Sequence, residues 1–287
     1  MGAIFRHELR NYFHSLTAYV FGAFLLAVVG LSSVLYNLQA AVSNFEFVLS
    51  FASIIFVVIV PILTMRTLAE ERRQRTDQLL YSLPITTTQV VLGKYLALLV
   101  VYLIPLAVIS LYPLLFSQFG DVYLPTSYGS LFAFFLMGAA LLAVGMFLSS
   151  LTDNQGFAAG IGIAAILLNY YSVSLAEYTS STAMGSLIAL YVIALLLGVV
   201  IHNLTRNENL AYGVTLVLIA ALSVAYFVNS SAFEGLLPDI MTKLSLFRQF
   251  NSFVNGAFDL TAIVYYVSVM GFFLFLTVQS LEKRRYN

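Results

Sequence analysis

Apolar residues in this chain gather into blocks of about twenty, with polar residues and turn formers confined to short breaks between them. Strict alternation would predict strands and a three-to-four-residue stripe a surface helix. Uninterrupted blocks of this length instead predict helices that cross a bilayer, whose hydrocarbon core, about 30 Å thick, takes roughly 20 residues. Eight blocks qualify: 16–36, 45–65, 94–116, 128–149, 156–175, 183–201, 210–228 and 260–281. Blocks 183–201 and 210–228 are short and joined by the brief polar link 202–209, so a re-entrant hairpin within a six-span bundle is the alternative to eight spans. The predicted fold class is all-α, a polytopic transmembrane helical bundle.

Two further segments carry a stripe rather than a block. In 1–15, Phe5, Leu9, Tyr12, Phe13 and Leu16 share one helical face while Arg6, His7, Arg10, Asn11 and His14 share the other, the pattern of an interfacial helix lying among lipid headgroups. Segment 229–258 repeats it with Leu237, Ile240, Met241, Leu244, Phe247 and Val254. Pro238 suits its first turn and Gly256 its end. It is read as a helix resting on the outer membrane face, or as one gating an exit.

Composition sharpens this picture by exclusion. With 61% hydrophobic and 9% charged residues, the chain is far from the roughly 45–50% apolar and about 25% charged makeup of soluble domains. Thirteen Lys and Arg balance thirteen Asp and Glu, so no net charge points to nucleic acid, and there is no Cys. The first apolar block has no small-residue cleavage motif after it and is read as a retained helix. Basic residues orient the bundle: eleven of the thirteen fall before the first span, in 66–94, in the link 202–209 or after the last span, leaving Lys243 and Arg248 on the opposite side. By the positive-inside rule both termini are expected in the cytoplasm of a multi-pass protein of the bacterial cytoplasmic (inner) membrane.

The stretch 66–93 is too charged for lipid. Nothing breaks a helix across 68–83; Pro84 stops it, and Thr86 with Gln89 forms a capping box that starts the helix entering the third span. A rigid helix-turn-helix between two spans is expected, able to transmit force, although a solvated connector would show the same charges.

The run Thr64-Met65-Arg66-Thr67-Leu68-Ala69-Glu70-Glu71-Arg72, with Thr76, Leu79-Leu80, Leu83-Pro84, Val90 and Leu92-Gly93-Lys94 and with Pro61 in the preceding span, resembles the coupling region of ABC-2 type permeases. His7-Glu8-Leu9-Arg10 with Tyr12-Phe13, and the closing blocks Val264-Tyr265-Tyr266 and Ser280-Leu281-Glu282-Lys283-Arg284-Arg285-Tyr286, are similar to the gliding-motility-associated subgroup of that family. Arg75 stands where the family often has Gly, and Leu16 where the subgroup commonly has Pro. The resemblance implies a single permease domain over 1–287 in an ATP-driven exporter, a second permease subunit making a homo- or heterodimer, and cytoplasmic ABC ATPase subunits that hold ATP and Mg. It also implies ATPase-coupling roles for Glu70, Glu71, Arg72, Thr76, Leu79, Leu80 and Pro84.

Small residues Gly156, Gly160 and Ala164 recur every fourth position of the fifth span, which lets another backbone approach closely. Packing within the subunit and a permease–permease interface are both compatible with this spacing; the resemblance favours the interface. Asn169, Tyr170 and Tyr171 form the main polar cluster at depth, read as interhelical hydrogen bonding or as a candidate pathway.

No catalytic chemistry is expected. A P-loop needs G-x-x-x-x-G-K-[ST], whereas Gly93-Lys94 is followed by Tyr95 and Thr88 replaces the first Gly, so no cofactor is assigned to this chain. Glu70-Glu71 and Arg75 match the E-E-x-x-x-R of CAAX-type membrane proteases, but the intramembrane His residues such a site needs are missing, as is an H-E-x-x-H zinc motif. An ion-coupled secondary transporter is the stronger rival, yet it would place ionisable residues mid-membrane, and Glu46, Lys94 and Glu282 sit at span edges. A non-transporting membrane signalling subunit is the remaining alternative.

Overall fold

The structure is a computed structural model and describes residues 2–74, 85–179, 181–205 and 208–285. Among these residues every regular element is helical, as the absence of water in a bilayer requires: a helix satisfies its own backbone groups. α1 (Gly2–His14) precedes α2 (Leu16–Ser33), which runs on as a π-helical turn Val34–Gln39. α3 (Phe45–Ala52) leads through the 3-10 turn Ser53–Ile55 into α4 (Phe56–Gln74). Then come α5 (Thr87–Ile109), the short α6 (Leu111–Phe116), α7 (Leu124–Ser149), α8 (Gln155–Tyr178), α9 (Ala183–Thr205) and α10 (Glu208–Val228). α11 (Leu236–Lys243), α12 (Leu246–Val254) and α13 (Leu260–Arg285) complete the chain.

Among the described residues seven helices are long and apolar enough to cross a membrane: Leu16–Gln39, Phe45–Gln74, Thr87–Phe116, Leu124–Ser149, Gln155–Tyr178, Glu208–Val228 and Leu260–Lys283. α9 contributes the shorter apolar stretch Ala183–Val199. Each expected block therefore has its helix, but the boundaries differ at the charged end. The second span does not stop at Met65; α4 carries on through Gln74. No separate helix begins at Leu68, and 75–84 lie outside the described residues. The third helix begins at Thr87, where the Thr86 cap is expected to start it, seven residues before the apolar block. The charged residues mark where the chain leaves an apolar environment, not where its helices end. Segment 229–258 likewise holds two helices after a short 3-10 turn, because the chain turns at Leu244-Ser245. Pro238 does lie in the first turn of α11, and Gly256 follows α12 with φ +81°.

The chain divides into two compact units, 1–170 with 249–287, and 171–248. In the first, α7 is the central helix and packs on α3, α4, α5 and α13. Tyr95 and Tyr102 of α5 donate to the Ala139 and Phe134 carbonyls of α7 at 2.9 and 2.8 Å. Gly138 and Gly145 of α7 lie directly against Tyr102 and Thr64, and Gly162 of α8 lies against Pro61. Contacts also sort the loops by end. Glu8, Thr67 and Lys94 meet at one end, with Ser149 against Met65 and Ser280 against Ser150. Loops 40–44, 117–123 and 255–259 occupy the other, where Phe45 meets Tyr112 and Phe116. α1 and the last turns of α13 thus share one end of this unit. In the second unit α9 and α10 pair closely, Gly198 accommodating Thr215 and Tyr191 hydrogen-bonding Ser223 at 2.7 Å. There the Ser186 hydroxyl accepts from the Leu237 amide of α11 at 3.3 Å.

Candidate functional site

The end of the first unit that carries α1 concentrates the charge of an otherwise apolar fold. The Thr86 side chain caps α5 by accepting from the Gln89 amide at 3.3 Å, which starts the helix early enough to place Lys94 in its second turn. Apolar neighbours Val90, Val91 and Tyr95 are buried with it, and Lys94 itself is only 1% exposed. Its Nζ donates to Glu8 Oε1 at 2.8 Å, to Glu71 Oε1 at 2.6 Å and to the Thr67 carbonyl at 3.2 Å. An ammonium has three donors, so all are used. A buried charge demands such pairing, because desolvation costs several kcal/mol for each ion.

α1 reaches this cluster because Glu8 and Tyr12, one turn apart, form its buried face. The Tyr12 hydroxyl lies 3.1 Å from Thr67 Oγ1. Burial, aided by the nearby Glu8, Glu71 and Glu70, pushes the Tyr12 phenol well above its usual range despite the Thr67 hydrogen bond. It therefore stays protonated and able to donate. Outside the cluster, Arg66 donates to Thr17 Oγ1 at 3.2 Å and lies 3.9 Å from Glu70 Oε2. Gln74 also meets Glu70. A groove of about 660 Å³ opens beside them, with Ile4, His7, Asn11, Arg66 and Glu70 in its wall.

The expected coupling residues divide. Glu70 is the more open acid, its side chain 36% exposed against 23% for Glu71, and its contacts are with Arg66 and Gln74. Glu71, one residue on, turns in to Lys94, and the Arg72 side chain, 3% exposed, points to Asp153 at 4.0 Å. Thr76, Leu79, Leu80 and Pro84 lie outside the described residues. A further contact joins α4 to α7: Ser149 Oγ donates to the Met65 carbonyl at 3.1 Å and accepts from the Leu68 and Ala69 amides at 3.3 and 3.2 Å. Gly156, Gly160 and Ala164 all lie on the exposed side of α8, whereas Ala158, Gly162 and Ile166 are buried. Asn169 and Tyr170 are half-buried and Tyr171 is exposed. No group of His, Asp or Glu suited to a metal occurs among the described residues.

Glu8, Thr67, Tyr12 and Ser149 were not legible as functional. Lys94 was quotable as half of a Gly-Lys pattern without a role; the usable signal was a lone cation between Val90 and Leu98, which can lie among buried residues only if acids from elsewhere meet it.

Residues 25–176, just over half the chain, match the family model described as "ABC-2 family transporter protein". The chain belongs to the ABC-2 transporter family. It is accordingly a multi-pass membrane protein and the membrane subunit of an ABC transporter, a family whose members associate with an ABC ATPase and are generally non-enzymatic. No curated protein and no solved structure matches the chain. The matched stretch of this ABC-2 protein holds α4, its charged end and Lys94; Glu8 lies ahead of it.

Proposed function

We propose that the chain is the permease subunit of an ATP-driven exporter in a bacterial inner membrane, and that its ATPase is a separate polypeptide docking at the charged end of α4. The observation that carries this reading is the form of that end. A membrane helix continues without a break into Glu70-Glu71-Arg72, with Glu71 and Arg72 anchored inward and Glu70 left the more open. A push on Glu70 would act on the whole of α4, because the helix has no joint between them. Residues 76–84, with Leu79 and Leu80, would extend the docking surface. The sequence pattern of both chain ends favours the gliding-motility-associated subgroup. Both chain ends are cytoplasmic in this reading, and a second permease packs on the outward face of α8. No P-loop motif is present in the sequence, in keeping with ATP and Mg bound by the partner.

Co-purification with the cognate ATPase tests the reading. Glu70→Lys leaves the buried cluster intact and should weaken the complex by at least tenfold, since like-charge contacts at an interface cost several kcal/mol and about 1.4 kcal/mol is tenfold. Leu79→Asp should do the same by placing a charge in an apolar pocket. Normal binding by both, with loss on substituting Lys243 or Arg248, would sink the assignment.

A further inference from the structure

We infer that Lys94 is a positioning residue through which movement of the α4 end reaches α1, a step that rests on the coupling role proposed above. The geometry behind it is one buried ammonium with its three donors divided between two other elements: Glu8 on α1, and Glu71 with the Thr67 carbonyl on α4. Lys94 is fixed to α5 by its own backbone, so the three helices meet at a single nitrogen. Two carboxylates share that one cation, and the Lys94 and Glu8 side chains are only 1% and 10% exposed. Each bond to the shared ammonium is charge-assisted and largely shielded from water, so pulling either acid away from it is opposed and a moving α4 tends to carry α1 with it.

The order of residues gives this clamp a direction. Glu70 is the more open acid and Glu71, its chain neighbour, faces Lys94. A load on the outer face of α4 therefore passes to the ammonium within one residue and from there to Glu8. α1 has no direct ion pair to α4 among the described residues, so the charged link runs through Lys94 of α5; the neutral Tyr12–Thr67 contact at 3.1 Å is the parallel link. The opposite face of α1 exposes Arg6, His7, Arg10, Asn11 and His14, which suits it to slide among headgroups once pulled. The wall of the neighbouring groove, by contrast, has its polar atoms largely matched to one another, His7 to Asn11 and Arg66 to Thr17, and so asks for no ligand.

The chain has no Cys, so spin labels can be placed at will in the full permease–ATPase complex in liposomes. One label pair joins Asn11→Cys on α1 to Phe119→Cys at the far end, and a second joins Arg73→Cys on the α4 end to the same Phe119→Cys. Both distances should change when ATP with vanadate is added to the otherwise wild-type complex. Glu8→Leu removes the α1 side of the clamp and leaves Lys94 and Glu71 as a balanced pair, so folding and ATPase binding should persist. In that variant the 73–119 change should be retained and the 11–119 change lost, whereas a merely structural contact would alter both or neither. Retention of the 11–119 change in Glu8→Leu would overturn the inference, as would a wild-type complex in which the α4 end moves and α1 does not. If neither distance responds in wild type, the coupling role itself falls, and the clamp with it.

Discussion

At Lys94, Gly138, Gly145 and Gly162 the fold depends on partners far away in sequence, and that distance decides what could be read in advance. The spacing of Gly156, Gly160 and Ala164 is visible to inspection, yet within the first unit the close approaches are at Gly138 on Tyr102, Gly145 on Thr64 and Gly162 on Pro61. Nothing local in the sequence marks these three, because the residue that needs the space sits on another helix. A methyl group at Gly145 would run into Thr64, which is buried, β-branched and held by its hydroxyl to the Val60 carbonyl at 2.9 Å. Gly145→Ala should therefore destabilise the protein by roughly 1–3 kcal/mol, the usual range for overpacking. Gly160→Ala, with nothing within 4 Å of the added carbon, should leave it unchanged. Thermal unfolding in detergent compares the two, and equal melting temperatures would contradict the packing described.

Among the elements, α8 shows how far a period can be pushed. Apolar block length located it to within a few residues, but which side faces inward is set by packing on Pro61 of α4, and the sequence of α8 does not contain that information. With Ala158, Gly162 and Ile166 buried, Gly156, Gly160 and Ala164 form an exposed stripe of small residues that packing among the described residues of the first unit does not use. Small residues on an outward stripe gain by meeting another helix, since without them two backbones cannot come close. Replacing Gly156 and Gly160 with Leu should leave insertion and thermal stability intact while weakening association between permease copies, read by crosslinking in membranes. Undiminished crosslinking would return the stripe to lipid contact. α4 teaches the complementary lesson: the switch to charge at Arg66 suggested a span that ends at Met65, yet the helix runs from Phe56 to Gln74, because Ser149, Lys94 and Asp153 on other segments meet its polar groups.

For the molecule as a whole, the all-helical class and the position of the spans followed from composition and block length alone, while the number of crossings did not. Apolar helices of similar length can pair as a hairpin or cross fully, and α9 and α10, largely exposed, look the same by composition in either case. Orientation has a firmer physical basis. Loops 40–44, 117–123 and 255–259, at one end of the first unit, contain no Lys or Arg, whereas the α1 end holds Arg6, Arg10, Arg66, Arg72 and Arg73. The bias predicts that the α1 end is cytoplasmic. A single Cys replacing Gly120 should react with an impermeant thiol reagent in intact cells, and one replacing Arg73 only after permeabilisation. Labelling of position 73 from outside would invert the topology and remove the ATPase from reach of Glu70.

The Ser149 hydroxyl carries one more consequence. It bonds both the Met65 carbonyl and the Ala69 amide, two groups that an α-helix also joins to each other. α4 stays helical across this point, so the hydroxyl, coming from the last turn of α7, adds to the ladder from outside. The step from the membrane part of α4 to its charged tip is thus braced by a residue of another helix. Position 149 is constrained by a helix it does not belong to: losing its hydroxyl would take that brace from α4.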